Sequence, residues 1–229
     1  MLIGGEISQG YNTMVINAVV SANVNSIDFR TKILASGWDG VSPVTATLTI
    51  NSGVYIGATS SSVYSLTITG SFPSGSTLNL INNGHISGAG GTGGGDMAVG
   101  GSGGDAVQAT IPVNITNNGY MWGGGGGGGG GQGRHSQSTA GGAGAGRVPG
   151  VAVSTFYAAT STVGGAGQPS SSGYTAGGGG GNIGLGGGAG GGNGYYGGSG
   201  AAGGLAGRYI VGNSNVTWLV TGTRLGRVA

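Results

Sequence analysis

Directly after Tyr120-Met121-Trp122, residues 123–131 are nine glycines in succession. A tract without side chains buries almost no apolar area, and glycine loses more backbone entropy on ordering than any other residue. Read alone, such a run is a flexible linker. Order can come only from backbone hydrogen bonds and from close approach of bare backbones. One conformation meets both demands: the extended left-handed helix with three residues per turn and ~3.1 Å rise. A lone helix of this kind has no internal hydrogen bonds. Packed side by side, such helices donate to and accept from their neighbours, so that every N–H and C=O finds a partner. The inner helices must then be almost pure glycine. At that rise, nine residues span about 28 Å.

The surrounding sequence favours packing over a linker. Of 62 glycines, nine precede Gly84 and three follow Gly207, which leaves 50 within residues 84–207. Glycine-dense segments recur there near 88–95, 100–104, 123–133, 140–147, 163–167, 177–181, 184–194 and 197–207. Many tracts of similar length predict a bundle, with Gly123–Gly131 at its centre and 184–190 on a face. The segments between tracts become reversals at the two ends. They carry Arg134, His135, Arg147, Phe156, Tyr157, Tyr174, Tyr195 and Tyr196 among serines and asparagines, a composition that suits binding loops on a rigid scaffold. Residues 147–162 are longer than a reversal needs.

Outside this window the pattern changes. Val44-Thr45-Ala46-Thr47-Leu48-Thr49-Ile50 and Val63–Thr69 alternate as half-buried strands do. Leu78-Asn79-Leu80-Ile81-Asn82-Asn83-Gly84 recurs, offset by 35 residues, as Val113-Asn114-Ile115-Thr116-Asn117-Asn118-Gly119, and Leu48–Gly57 is a weaker copy. Strand, Asn/Gly corner, strand predicts stacked rungs or a folded-over sheet. A positive φ is expected at each corner. Residues 27–36 predict a short helix, capped by Asn25 or Ser26 and ended by Gly37, with Phe29 and Ile33 on one side.

The chain therefore divides into an N-terminal attachment segment with one short helix (1–40), a β-strand repeat region (41–118), a glycine-rich body (84–207) and a C-terminal strand return (208–229). The fold class expected is mainly β and irregular. A short-strand N-terminal β part precedes a sandwich of packed polyglycine II helices, and there is almost no α-helix.

Composition excludes several classes. No Gly-X-Y period exists, and five prolines are too few for collagen. Charged residues make up 5 %, too few for charge-driven disorder. Seven Lys+Arg against five acids do not make a phosphate-tracking groove, so no nucleic-acid partner is expected. There is no cysteine, hence no disulfide or thiolate metal site. No apolar run reaches membrane-spanning length, and the first residues do not read as a secretory signal. Membrane insertion is not expected.

With these residues in view, the chain resembles the glycine-rich receptor-binding adhesins at the tips of long tail fibres of T-even-like bacteriophages. The resemblance rests on the tracts of 84–207 and the aromatic segments between them. It rests also on Gly37-Trp38-Asp39-Gly40, Thr49-Ile50-Asn51-Ser52-Gly53, Leu80-Ile81-Asn82-Asn83-Gly84 and the ending Thr221-Gly222-Thr223-Arg224-Leu225-Gly226-Arg227-Val228. It implies a polyglycine sandwich whose distal loops bind a bacterial outer-surface protein or glycan. Other virion tail or fibre proteins and further copies of the chain are the remaining partners implied. It also implies a place on the virion, after synthesis in the host cytoplasm without a signal peptide. The alternative is a structural tip, hub or decoration protein without a receptor.

Catalytic motifs are weak. Spaced glycines mimic nucleotide loops, but no helix pattern follows them and the only lysine is Lys32. Gly100–Gln108 fits one calcium β-roll nonapeptide, with Asp96 one period before Asp105. A third repeat is missing, so no metal is assigned, and Asp96 and Asp105 remain the ligands of that lesser alternative. His135 has no orienting acid nearby, and His85 sits in the strand repeat opposite Tyr120. Trp38, Trp122 and Trp218 read as packing residues. No enzyme activity and no cofactor are expected.

Overall fold

The alternation of Val44–Ile50 translates directly into packing: Val44, Ala46, Leu48 and Ile50 are fully buried, and the threonines between them face outward. The same rule recurs along a three-sided parallel solenoid. The computed structural model describes residues 12–132, 139–152, 158–169, 175–191 and 199–229. Each coil supplies one strand to each side. The first coil is β1 (Met14–Val20), β2 (Val24–Asn25) and β3 (Ile27–Asp28). The second is β4 (Val44–Ile50), β5 (Tyr55–Gly57) and β6 (Leu66–Ile68). The third is β7 (Thr77–Asn82), β8 (His85–Ser87) and β9 (Val107–Ala109). The fourth is β10 (Val113–Asn117), β11 (Tyr120–Trp122) and β12 (Arg208–Val211). The last is β13 (Val216–Val220), β14 (Thr223–Leu225) and β15 (Arg227–Val228).

These strands make three five-stranded parallel sheets, each with one strand per coil. Parallel register stacks like on like. Ala18, Leu48, Leu80 and Ile115 form one internal column, Ile56, Ile86 and Met121 a second, and Leu66, Val107 and Ile210 a third. The asparagines buried inside are paired, as burial requires. Asn82 Nδ2 donates to Asn117 Oδ1 at 2.7 Å, and Asn117 Nδ2 donates to the Thr221 carbonyl at 2.8 Å. The repeat offset of 35 residues is the offset between β7 and β10, so the two copies lie one upon the other.

Three local expectations need correction. The helix α1 spans Phe29–Ala35, because Ile27 and Asp28 pair with Leu66 and Thr67 as β3. The cap is Asp28, whose carboxylate accepts from Thr31 N at 2.8 Å. Phe29 and Ile33 are both fully buried, as their spacing predicts. The strand expected over Val63–Thr69 shrinks to β6, since Val63 N closes a turn onto the Ser60 carbonyl. Gly84 and Gly119 are not in the left-handed region. They are glycines because successive corners touch: a Cβ on Gly84 would meet the Val54 and Asn51 carbonyl oxygens, and one on Gly119 the Gly84 carbonyl.

The glycine body is an insertion at one corner. Between the second and third sides, the first coil has only Ser26, the second has residues 58–65, the third 88–106 and the fourth 123–207. The hydrogen bonds of β8 to β11 run on into it: Gly88, Gly91 and Gly94 N–H donate to Trp122, Gly125 and Gly128. The step along the chain changes from two to three residues.

That step of three governs residues 123–131. Gly124, Gly127 and Gly130 donate to Gly104, Gly101 and Ala98. Gly125, Gly128 and Gly131 donate to Ala145, Gly142 and Thr139, and Gly126 and Gly129 to Leu185 and Gly188. The carbonyls of Gly123, Gly126 and Gly129 accept from Gly184, Gly181 and Gly178, and those of Gly124, Gly127 and Gly130 from Gly207, Gly204 and Ala201. Gly125 and Gly128 accept from Gly91 and Gly94. These bonds measure 2.7–3.1 Å. The central tract thus has six neighbours, and the neighbours bond to one another in a closed ring. With 148–151 and 164–168 outside the ring, the segments form three layers. One layer holds 148–151, 88–94 and 98–104, the middle one 140–145, 123–131 and 201–207, and the last 164–168, 177–181 and 185–191. A Cβ on Gly127 would fall on the Thr92 carbonyl. No side chain larger than hydrogen fits there.

Candidate receptor-binding face

The tracts have a base at the solenoid and a remote end. At the base, Gly88, Gly123 and Gly207 adjoin Ser87, Trp122 and Arg208 of the strands. At the remote end, Gly95 and Ala98 close a turn, Gly131 pairs with Thr139, Gln168 with Gly177, and Gly190 with Ala201. Side chains staple this end together. Gln168 Oε1 accepts from Ala140 N at 3.0 Å, and the Thr175 hydroxyl donates to the Gln132 carbonyl at 2.7 Å. Neither residue stands out in the sequence, because glutamine and threonine at a tract end look like any polar turn.

Arg134, His135, Phe156, Tyr157, Tyr174, Tyr195 and Tyr196 lie outside the described residues. The described residues that bracket 133–138, 170–174 and 192–198 all stand at the remote end. Residues 153–157 follow Val151, which is level with Gly93, and precede Thr160, which is back at the base beside Gly146.

Arg147 stands apart from that set. It lies at the base, its stem across Gly57 and its guanidinium carbon 5.9 Å from the Tyr55 ring centroid. Tyr55 begins an aromatic ladder on the outer face of β5, β8 and β11. The His85 ring stacks on Tyr55 at 4.1 Å and on Tyr120 at 4.6 Å, with Trp122 edge-on at 5.5 Å. Burial between these rings pushes the His85 pKa below its ordinary value. The repeat signals two rungs of the ladder, since His85 and Tyr120 each directly follow the corner glycine, whereas Tyr55 comes two residues after Gly53 and is brought level by the pairing of β5 with β8.

The two aspartates of the calcium alternative stand at opposite ends of the 98–104 segment. Asp96 is in the remote turn, whereas Asp105 accepts from Arg208 N at 2.6 Å and pairs with its guanidinium at 3.4 Å. Among the described residues no group of three His, Cys, Asp or Glu gathers. Trp38 stacks on Phe72 at 4.8 Å, and Trp218 lies under Arg224 at 4.7 Å. Among the described residues no helix is long and apolar enough to cross a membrane.

The described chain thus joins a side-chain core at one end to a lattice of bare backbones at the other. The family described as phage tail fibre adhesin Gp38 matches residues 14–229, and the chain belongs to it. Among solved structures, the crystal structure of the gp37-gp38 adhesin tip complex of the bacteriophage S16 long tail fiber matches at 27% identity. The match covers 95% of this chain and 82% of that chain, with a TM-score of 0.67. A search of curated proteins returns no match. The chain is a tail fibre adhesin, and its place is the virion.

Proposed function

We propose that the chain binds a host-cell surface receptor, an outer-surface protein or glycan, through the segments at the remote end of the glycine body. The observation that supports this reading is the bracketing of 133–138, 170–174 and 192–198 at one end of a lattice whose other end continues into the solenoid. In this reading the segments are packed polyglycine II helices. The repeat of three along 123–131 and its six neighbours are what such packing requires. The candidate contact residues are Arg134, His135, Tyr174, Tyr195 and Tyr196, whose aromatic rings supply contact area at low entropic cost. Phe156 and Tyr157, on the remaining segment, complete the set. As an adhesin the protein acts by binding rather than by catalysis.

The solenoid is the part suited to mounting on another fibre protein, as the S16 protein is found in complex with gp37. Its last coil presents the unpaired edges of β13, β14 and β15, with Leu219, Leu225 and Val228 exposed.

Adsorption of the purified protein to host cells tests the reading. Replacing Tyr195 and Tyr196 together by serine is expected to weaken adsorption by about tenfold or more, as loss of aromatic anchors does. Unchanged adsorption after replacement of all four segments would leave a structural tip component without a receptor.

A further inference from the structure

We infer that the junction of solenoid and glycine body holds a second binding site, for the anionic group of an acidic sugar of the bacterial surface. The site is an open notch of about 320 Å³ lined by Asn23, Tyr55, Arg147 and Ser161. Its chemistry is that of hydrogen-bond donors. Arg147 supplies a guanidinium whose Nε is buried without a partner. The one ion pair among the described residues is Arg208 with Asp105, so no described carboxylate neutralises Arg147. Asn23 Oδ1 accepts from the Tyr55 backbone N–H at 2.8 Å. That bond fixes the amide orientation and leaves the Nδ2 protons to donate. Ser161 adds a hydroxyl. A cation, an amide N–H and a hydroxyl with no acid among them select an oxyanion.

The arginine is also held in place before any ligand arrives. Its stem fills the space where a side chain on Gly57 would be, within 2.6 Å of an ideal Cβ. Its head rests over Tyr55, and Tyr55 is itself fixed by the stack through His85 to Tyr120. Preorganisation of this sort spares the entropy of ordering a long side chain on binding. The volume lies at the small end of the range for ligand sites, roughly 300–1,000 Å³. It exceeds what a bare carboxylate or phosphate needs and leaves room for a sugar ring. The preference for a sugar over other anions rests on the adhesin reading; the oxyanion chemistry does not.

Titration of the purified full-length chain, followed by NMR, tests the site with D-glucuronate, D-glucose 6-phosphate, D-glucose, acetate and inorganic phosphate. Binding of at least one acidic sugar with a Kd on the order of millimolar is expected, with glucose at least about tenfold weaker. The stronger of glucuronate and glucose 6-phosphate identifies the group as carboxylate or phosphate. Arg147→Met is expected to weaken binding about tenfold or more, with an unchanged melting curve. Gly57→Ala keeps the arginine but takes the place of its stem, and is expected to weaken binding as well. If that variant does not fold, Arg147→Lys, which keeps charge but loses the planar fork, is expected to do the same. Acetate or phosphate binding as tightly as the sugars would overturn the assignment to a sugar. Absence of binding by any probe at about 50 mM, far above the expected Kd, would overturn the site. So would unchanged binding in Arg147→Met. Cell adsorption is scored separately: normal adsorption by a protein that binds no acidic sugar fails this site alone. Sugar binding by a protein that does not adsorb fails the remote-end reading alone.

Discussion

The solenoid and the glycine body solve one problem in opposite ways. In the solenoid, Leu48, Leu80 and Ile115 fill the interior, and the backbone bonds only to the coils above and below. In the body the interior is backbone alone, and Gly123–Gly131 bond in six directions. Cohesion in the first comes from apolar area removed from water. In the second it comes from fully satisfied amides packed too closely for any Cβ. The two meet without a break because both link neighbouring chain segments laterally through N–H to C=O. Gly88 still bonds to Trp122 of β11, and Gly91 and Gly94 continue that series onto Gly125 and Gly128.

The comparison can be broken at several points. The largest effect is expected in the side-chain core: Leu80→Ala should destabilise the protein by about 2–5 kcal/mol, measured by denaturant unfolding. A comparable loss from Ser102→Ala, on the lattice surface, would show that the two parts are not held differently. Next comes the lattice centre. Gly127→Ala should cost about 1–3 kcal/mol, as overpacking does. Gly95→Ala, where nothing lies within 4 Å of a Cβ, should be neutral or slightly stabilising. Equal effects for these two glycines would sink the packed-backbone account. Amide exchange sharpens the same point, because residues 124–130 should be protected as strongly as β10, although they bury no side chain.

Asn117→Ala is expected to cost about 1–3 kcal/mol, because it leaves the buried Asn82 amide only the Tyr120 carbonyl as acceptor and removes the donor to the Thr221 carbonyl. The smallest effect belongs to pH. The folded pKa of His85 lies below its ordinary value of 6.5, so the unfolded chain takes up a proton first. Stability should therefore be full above pH 6.5 and fall as pH drops through that value toward the lower folded pKa. Melting temperatures at a series of pH values should show the fall, and His85→Phe, which keeps the stack, should flatten it.

Much of this was open to sequence reading wherever a local rule meets no competitor. Val44–Ile50 alternates, and it is a strand buried on one face. Asn79 and Asn114 repeat, and they lie in register. The failures occur where a distant segment intervenes. Ile27 and Asp28 satisfy helix rules, yet Leu66 and Thr67 draw them into a sheet. Gly84 and Gly119 look like turn glycines and are instead points where coils touch. Arg147 reads as part of a long loop with Phe156 and Tyr157, and it rests on Tyr55, far away in sequence.

By itself, the order of residues determined the kind of cohesion each part uses: alternation requires a buried face, and glycine density permits bare backbones to touch. Only the tertiary structure decided which segments touch. Tract order, layer membership and the end at which a side chain emerges depend on how the chain closes over the fourth coil. A glycine tract carries no side chain to encode its own neighbours, so its partners are set by the strands that feed it and the turns that return it.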